Sequence, residues 1–252
     1  MNREIEGVYA LWKREIIRFA RSKSRVIGSL GMPFFFLAIL GTGLSNAFNI
    51  PGMEGNYLKF ITPGIIGMVL MFGSMFSGII VLMDRQFGFL KETLVAPVSR
   101  LSIIFGKALG GATTSVVQGI IILGAAMLLG AQLNIVNFFL LLFFMFLISL
   151  MFVSLGITIA SVLEDMHGFQ LIVNFILMPM FFLSGALFPL DSAPGLLRTA
   201  SLLDPLTYGV SGLQYILLGN SHINFAVSLA VVTAFTVAFM GIAIYFFNRI
   251  EE

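Results

Sequence analysis

Long apolar runs separated by short polar breaks fill most of the chain. A helix of about 20 apolar residues is long enough to cross a bilayer, and six runs qualify: 26–44, 61–83, 103–129, 136–163, 169–187 and 225–247. Ahead of the first run, Ile5, Val8, Tyr9, Trp12, Ile16 and Phe19 recur at helical spacing and occupy a sector of about 100°. Arg14, Arg18 and Arg21 lie opposite. This pattern predicts an amphipathic helix at the membrane interface, with Tyr9 and Trp12 at headgroup level. The expected organisation is one all-α integral membrane domain over 1–252: an interfacial helix (1–25), spans one to five (26–187), an outer region (188–224), and span six with its tail (225–252).

Two segments break the pattern. The first, FLKETLVAPVSR (89–100), separates spans two and three. Gly88 permits a break after span two, and Phe87, Leu90 and Leu94 give a short helix one apolar edge. Pro97 ends that helix, since it lacks an amide donor and disfavours helical geometry at Ala96. Ser99 is placed to cap span three. Such a piece, held at both ends by spans, can transmit force; the plainer alternative is a turn that carries charge. The second segment, 186–224, is too broken by Pro189, Pro194 and Pro205 to be one span. It is too apolar, with Leu196, Leu197, Leu202, Leu203, Tyr208, Leu213, Tyr215 and Ile216, to be a free loop. Two short helices entering the outer leaflet and returning reconcile both facts, provided that protein or a wet cavity covers their ends. Ser201 or Asp204 could cap the second, with Pro205 in its first turn. The region reads as an outer gate or a passive lid.

Composition agrees with a membrane protein. The 252 residues are 58% hydrophobic and 10% charged, with a mean hydropathy of +1.02; a soluble domain carries about 25% charged residues. Basic residues set the expected orientation. Arg3, Lys13, Arg14, Arg18, Arg21, Lys23 and Arg25 precede span one. Arg85, Lys91, Arg100 and Lys107 surround the first loop, and Arg249 ends the chain. Only Lys59 and Arg198 fall on the other side, so both termini are expected in the cytoplasm. Lys107 lies near enough to a span end to snorkel. The net charge of +2 does not point to nucleic acid, because the basic residues cluster beside spans.

Catalytic chemistry finds no support. There is no cysteine, no G-x-x-x-x-G-K-[ST] phosphate loop and no nucleophile elbow. His167 and His222 lack metal-ligand spacing. Glu164 and Asp165, in the second cytoplasmic loop, sit at a span end and read as loop surface or as a coupling contact. Pro33 and Pro179 should kink their helices, and Gly67, Gly73 and Gly78 in span two with Gly106, Gly110 and Gly111 in span three should let helices approach closely. The phenylalanines of span four are packing bulk or an aromatic pocket.

The stretch Arg85-Gln86-Phe87-Gly88 through Glu92, Pro97-Val98-Ser99-Arg100 and Gly106-Lys107, together with Ser184-Gly185, Phe188-Pro189, Pro194 and Pro205-Leu206-Thr207-Tyr208, resembles the membrane subunit of type-2 ABC exporters, with the drug-export branch most similar. This family includes antibiotic-resistance, sodium-export and polysaccharide-export permeases. Gln86 and Gln214 depart from it, standing where many members have an acidic and a basic residue. The resemblance implies a pair of permeases, two copies or a close paralogue, meeting through spans one and five in the plasma membrane of a prokaryote. It implies separate cytoplasmic ATPase subunits that hold ATP and Mg, this chain carrying no cofactor or metal of its own. It places ATPase coupling at Arg85, Gly88, Lys91, Glu92, Pro97 and Arg100, with Glu92 meeting a donor in a groove of the ATPase, and the outer gate at Phe188, Pro189, Pro205, Thr207 and Tyr208. The expected activity is export of a hydrophobic or amphipathic substrate, drug-like or lipid-like. A secondary carrier or channel, and a scaffold that recruits a soluble partner, stand as alternatives.

Overall fold

The computed structural model describes residues 2–43, 57–89, 98–190 and 194–249. Lys91, Glu92 and Pro97, with Leu90 and Leu94, lie outside them. The described residues form helices and no strands. They are α1 (Asn2–Arg21), α2 (Lys23–Phe35), α3 (Tyr57–Gln86), α4 (Arg100–Leu128), α5 (Phe138–Val162), α6 (Met166–Leu183), α7 (Gly195–Ser201), α8 (Pro205–Leu218) and α9 (Phe225–Phe247). Six are long and apolar enough to cross a membrane: α2 with its continuation to Gly43, α3, α4, α5, α6 and α9.

The ends follow local chemistry. Ser99 caps α4 by accepting from the Ser102 amide at 3.2 Å, as its position predicts. Asp165 accepts from the Gly168 amide at 2.6 Å to start α6, and Asn224 accepts from the Ala226 amide at 2.8 Å to start α9. Gly88 turns the chain out of α3 with φ of 80°, which costs a glycine little. α6 stops at Leu183, four residues short of the expected span end at 187, because Gly185 adopts φ of 73°. Ala186 then folds back onto α3, where a Cβ on Gly64 would meet its carbonyl oxygen at 2.4 Å. Pro33, an expected kink, precedes a π-helical turn over Phe36–Leu40 that carries α2 on to Gly43.

α3 is the central helix. Its span window is 72% buried, against 17% for the α2 span and 22% for α6. α4, α5 and α8 surround α3, and α9 packs on α5. The α3–α5 crossing is a glycine contact: a Cβ on Gly78 would lie 2.4 Å from the Gly156 carbonyl carbon, and one on Gly156 would lie 2.6 Å from the Met75 oxygen. Gly78 is an expected close-approach position; its partner Gly156 carries no such expectation.

This crossing predicts a sharp contrast. Gly156→Leu must push two backbones apart and should cost more than the about 1–3 kcal/mol of ordinary overpacking. Gly124→Ala, with nothing within 4 Å of its Cβ position, should leave stability unchanged. Thermal unfolding of the two purified variants measures the difference; equal midpoints would remove the crossing from the account.

Candidate functional site

The site begins with how α1 is held. Glu4 reaches the start of α4, where its carboxylate accepts from the Ser99 amide at 3.0 and 3.1 Å, from the Ser99 hydroxyl at 2.8 Å and from the Ser102 hydroxyl. These bonds, the Ser102 one foremost, hold the Glu4 carboxyl below the usual carboxylate range. A Cβ on Gly106 would strike Leu11 at 2.7 Å, and one on Gly110 would strike Glu15 at 2.6 Å. Trp12 donates its indole N–H to Thr113 at 3.1 Å. Contacts thus climb α1 and α4 in the same direction, so the two helices run side by side and parallel. Gly106 and Gly110 do admit a close neighbour, and the neighbour is α1.

The buried stripe of α1 is therefore set by polar contacts as much as by apolar ones. The expected sector lies astride it: Ile5 and Tyr9 remain exposed, whereas Leu11 and Glu15 face the protein. Trp12, expected at headgroup level, donates its indole N–H to Thr113 of α4.

The second tie is ionic. Asp84, in the last turn of α3, is 2% exposed. It pairs with the Lys107 ammonium from α4, with Arg14 at 3.3 Å and with Arg18 at 3.7 Å. Lys107 does not snorkel, contrary to the sequence expectation. It is 5% exposed, and its ammonium finds a buried carboxylate nearer than water. Arg14 and Arg18, placed opposite the apolar sector, turn toward the same carboxylate while each side chain stays about one-third exposed. Sidedness rests on lysine and arginine alone and is silent on Asp84 and Glu15. The available signal was an acid one residue beyond an expected span end, with an unpaired lysine at the start of the next.

The loop-side ends of the bundle are joined as well. Arg85 donates to the Leu163 carbonyl at 3.5 Å and Gln86 to the Glu164 carbonyl at 2.7 Å. The first-loop residues Arg85 and Gln86 thus touch the second loop, where Glu164 and Asp165 are exposed. Arg100 instead donates to the Asn248 carbonyl at 2.8 Å, closing the C-terminal end of α9.

At the opposite end of the bundle, α7 and α8 follow the expected pair of short helices. Asp204, not Ser201, caps α8, accepting from the Leu206 amide at 2.9 Å and from the Thr207 hydroxyl at 3.1 Å. Burial nevertheless pushes its carboxyl up to about 7. The folded state therefore binds the proton more tightly than the unfolded chain, and this group's contribution to stability falls as pH rises from the ordinary carboxylate range toward 7. Pro205 and Thr207 are buried, and Tyr208 donates to the Leu202 carbonyl at 3.0 Å. Phe188 and Pro189 are half-buried beside Leu187, whose carbonyl accepts from Tyr57 at 2.7 Å. Leu213 and Ile216 are buried as expected, but Leu196 and Leu203 are 84% and 81% exposed.

Between α1, α2, α3, α4 and α6 lies a cavity of about 270 Å³. Its walls are mostly apolar, among them Met32, Met68, Phe72 and Met178; Glu15, Gln118 and Asn174 supply polar groups. Among the described residues, no group of three acidic or histidine side chains could hold a metal ion.

Residues 6–218 match the family model described as ABC-2 type transporter. The chain is 34% identical over 241 residues to the transport permease ycf38 of Cyanophora paradoxa, covering 92% of this chain and 81% of that one. It is 26% identical over 234 residues to the inner membrane transport permease YadH of Escherichia coli K12, covering 91% and 90%. It is 28% identical over 233 residues to the doxorubicin resistance ABC transporter permease protein DrrC of Mycobacterium tuberculosis, covering 88% and 80%.

The ionic cluster predicts unequal costs. Asp84→Asn strands a buried lysine and should destabilise by about 3–5 kcal/mol. Lys107→Met leaves Asp84 with two partly exposed arginines and should cost less. Thermal unfolding ranks them; a Lys107→Met variant weaker than Asp84→Asn would contradict the arrangement.

Proposed function

The chain belongs to the ABC-2 type transporter family, and we propose that it is the membrane-spanning subunit of an ATP-driven exporter. It works as one of a pair, with a separate cytoplasmic ATPase holding ATP and Mg, and moves a hydrophobic or amphipathic substrate outward. The observation that carries this reading is the joined loop-side end: Asp84 ties α1, α3 and α4 together, while Arg85 and Gln86 bind the second loop. A push on either loop reaches α1 and three spans through direct polar contacts, of which the Lys107–Asp84 pair is buried. Lys91, Glu92 and Pro97, which follow this end in sequence and lie outside the described residues, are assigned to ATPase coupling as part of the same proposal.

Two further observations support the assembly. The α2 and α6 spans bury little within one chain, which suits a second copy packed against spans one and five. The exposed leucines of α7 and the exposed Ile5 and Tyr9 of α1 suit lipid or that second copy. The basic residues around the loop-side end favour a cytoplasmic location for it and for both termini, and the inner-membrane name of one relative supports the plasma membrane. The apolar cavity between α1 and four spans is a place for substrate to enter.

Coexpression with a candidate ATPase tests the reading. The purified chain alone should hydrolyse no ATP, and the complex in proteoliposomes should move a hydrophobic probe only with ATP. Gln86→Ala removes one hydrogen bond between the loops, worth about 1 kcal/mol. It should lower transport per ATP while the ATPase stays bound. ATP turnover by the chain alone would refute the proposal.

A further inference from the structure

Two polar side chains on the cavity wall have no partner among the described residues. Glu15 is 6% exposed and Gln118 is 4% exposed, and both line the cavity. Neither makes a hydrogen bond or an ion pair with a described residue, and both line the cavity rather than being sealed in packed protein. A buried carboxylate is the costlier of the two to leave unpaired. Its neighbours do not resolve this. Lys107, Arg14 and Arg18 lie within ion-pair distance of Asp84 and not of Glu15, which they reach only through space, and α2 and α6 bring no charged side chain to the cavity.

Thr114 and Ser77, nearby on the same wall, donate their hydroxyls to the Gly111 and Gly73 carbonyls at 2.9 and 3.1 Å and keep lone pairs for a ligand. The polar groups facing the cavity are thus acceptors, apart from the amides of Gln118 and Asn174. Gly110, which packs on Glu15, and Gln118 are eight residues apart on α4, or about 12 Å along a helix axis.

The geometry points to a cation site: the cavity takes an amphipathic molecule whose protonated amine pairs with Glu15, whose apolar body lies on Met32, Met68 and Phe72, and whose second polar group reaches Gln118. This rests on the exporter reading and names the substrate class for it. Burial raises the Glu15 carboxyl above its ordinary range, a shift opposed by Lys107, Arg18 and Arg14 and reinforced by Asp84. The empty site therefore holds a proton more readily than an exposed carboxyl does. When the ammonium enters, the carboxyl proton leaves to water and the carboxylate pairs with the ligand. Affinity for an amine should rise with pH and level off once Glu15 is ionised without ligand.

Binding to the purified full chain in nanodiscs, which needs no ATPase, tests this separately from transport. The probes are dansylcadaverine, a primary amine, and its N-acetyl derivative, which keeps the fluorophore and loses the charge; empty nanodiscs give the background. Wild type should bind the amine about tenfold more tightly than the amide, as a charge-assisted bond in a buried site allows. Glu15→Gln should erase that difference and the pH dependence, while leaving amide binding and the thermal midpoint unchanged. Gly28→Phe places a ring in the cavity from α2, where nothing lies within 4 Å of the Cβ position, and should weaken both probes. Equal binding of the two probes by wild type, no binding of either, equal weakening of both by Glu15→Gln, or unchanged binding in Gly28→Phe would each overturn the assignment.

Discussion

A carboxylate at the end of a membrane span is costly unless it is paired, and Asp84 is paired three times. Most of the loop-side architecture depends on this constraint. Lys107 can sit inside α4 only because Asp84 neutralises it, since a lone ammonium at that depth would be driven to water or would lose its proton. Arg14 and Arg18 fix the rotation of α1, which brings Glu4 to the cap of α4 and Glu15 to the cavity. One acid thereby joins two spans and the helix that precedes them.

Packing does the complementary work. Glycine lets α1 lie close against α4 at Gly106 and Gly110, and lets α3 cross α5 at Gly78 and Gly156. In a bilayer, apolar surface drives helix association weakly, so close backbone approach and polar ties carry more of the specificity. α3 uses both: it meets α5 at the Gly78–Gly156 crossing and α1 and α4 through Asp84 at its end. The helices that lack such ties on their outer faces, α2 and α6, are also the least covered.

The six spans were legible because hydrophobic length is a nearly sufficient signal in a membrane protein. Ser99, Gly88 and the pair of short helices after α6 were legible because caps, positive-φ turns and prolines act locally. The charged cluster was not, since Asp84, Lys107, Arg14 and Glu15 are separated in sequence and meet only when helices pack. Counting lysine and arginine for sidedness hid it further: that count treats Lys107 as a charge near an edge and ignores Asp84 altogether. The stripe of α1 was misplaced for a related reason. Apolar spacing centres the sector near Tyr9 and Trp12, but the contact with α4 is fixed by the hydrogen bonds of Glu4 and Trp12 and by Leu11 and the Glu15 methylenes packing on Gly106 and Gly110.

The central claim is that Asp84 holds α1 onto the bundle. Amide hydrogen exchange across residues 2–21 measures it directly, in wild type and in Asp84→Asn. The account predicts that α1 amides are protected in wild type and lose that protection first in the variant, before those of α3 and α5. Unchanged protection of α1 in Asp84→Asn would contradict it.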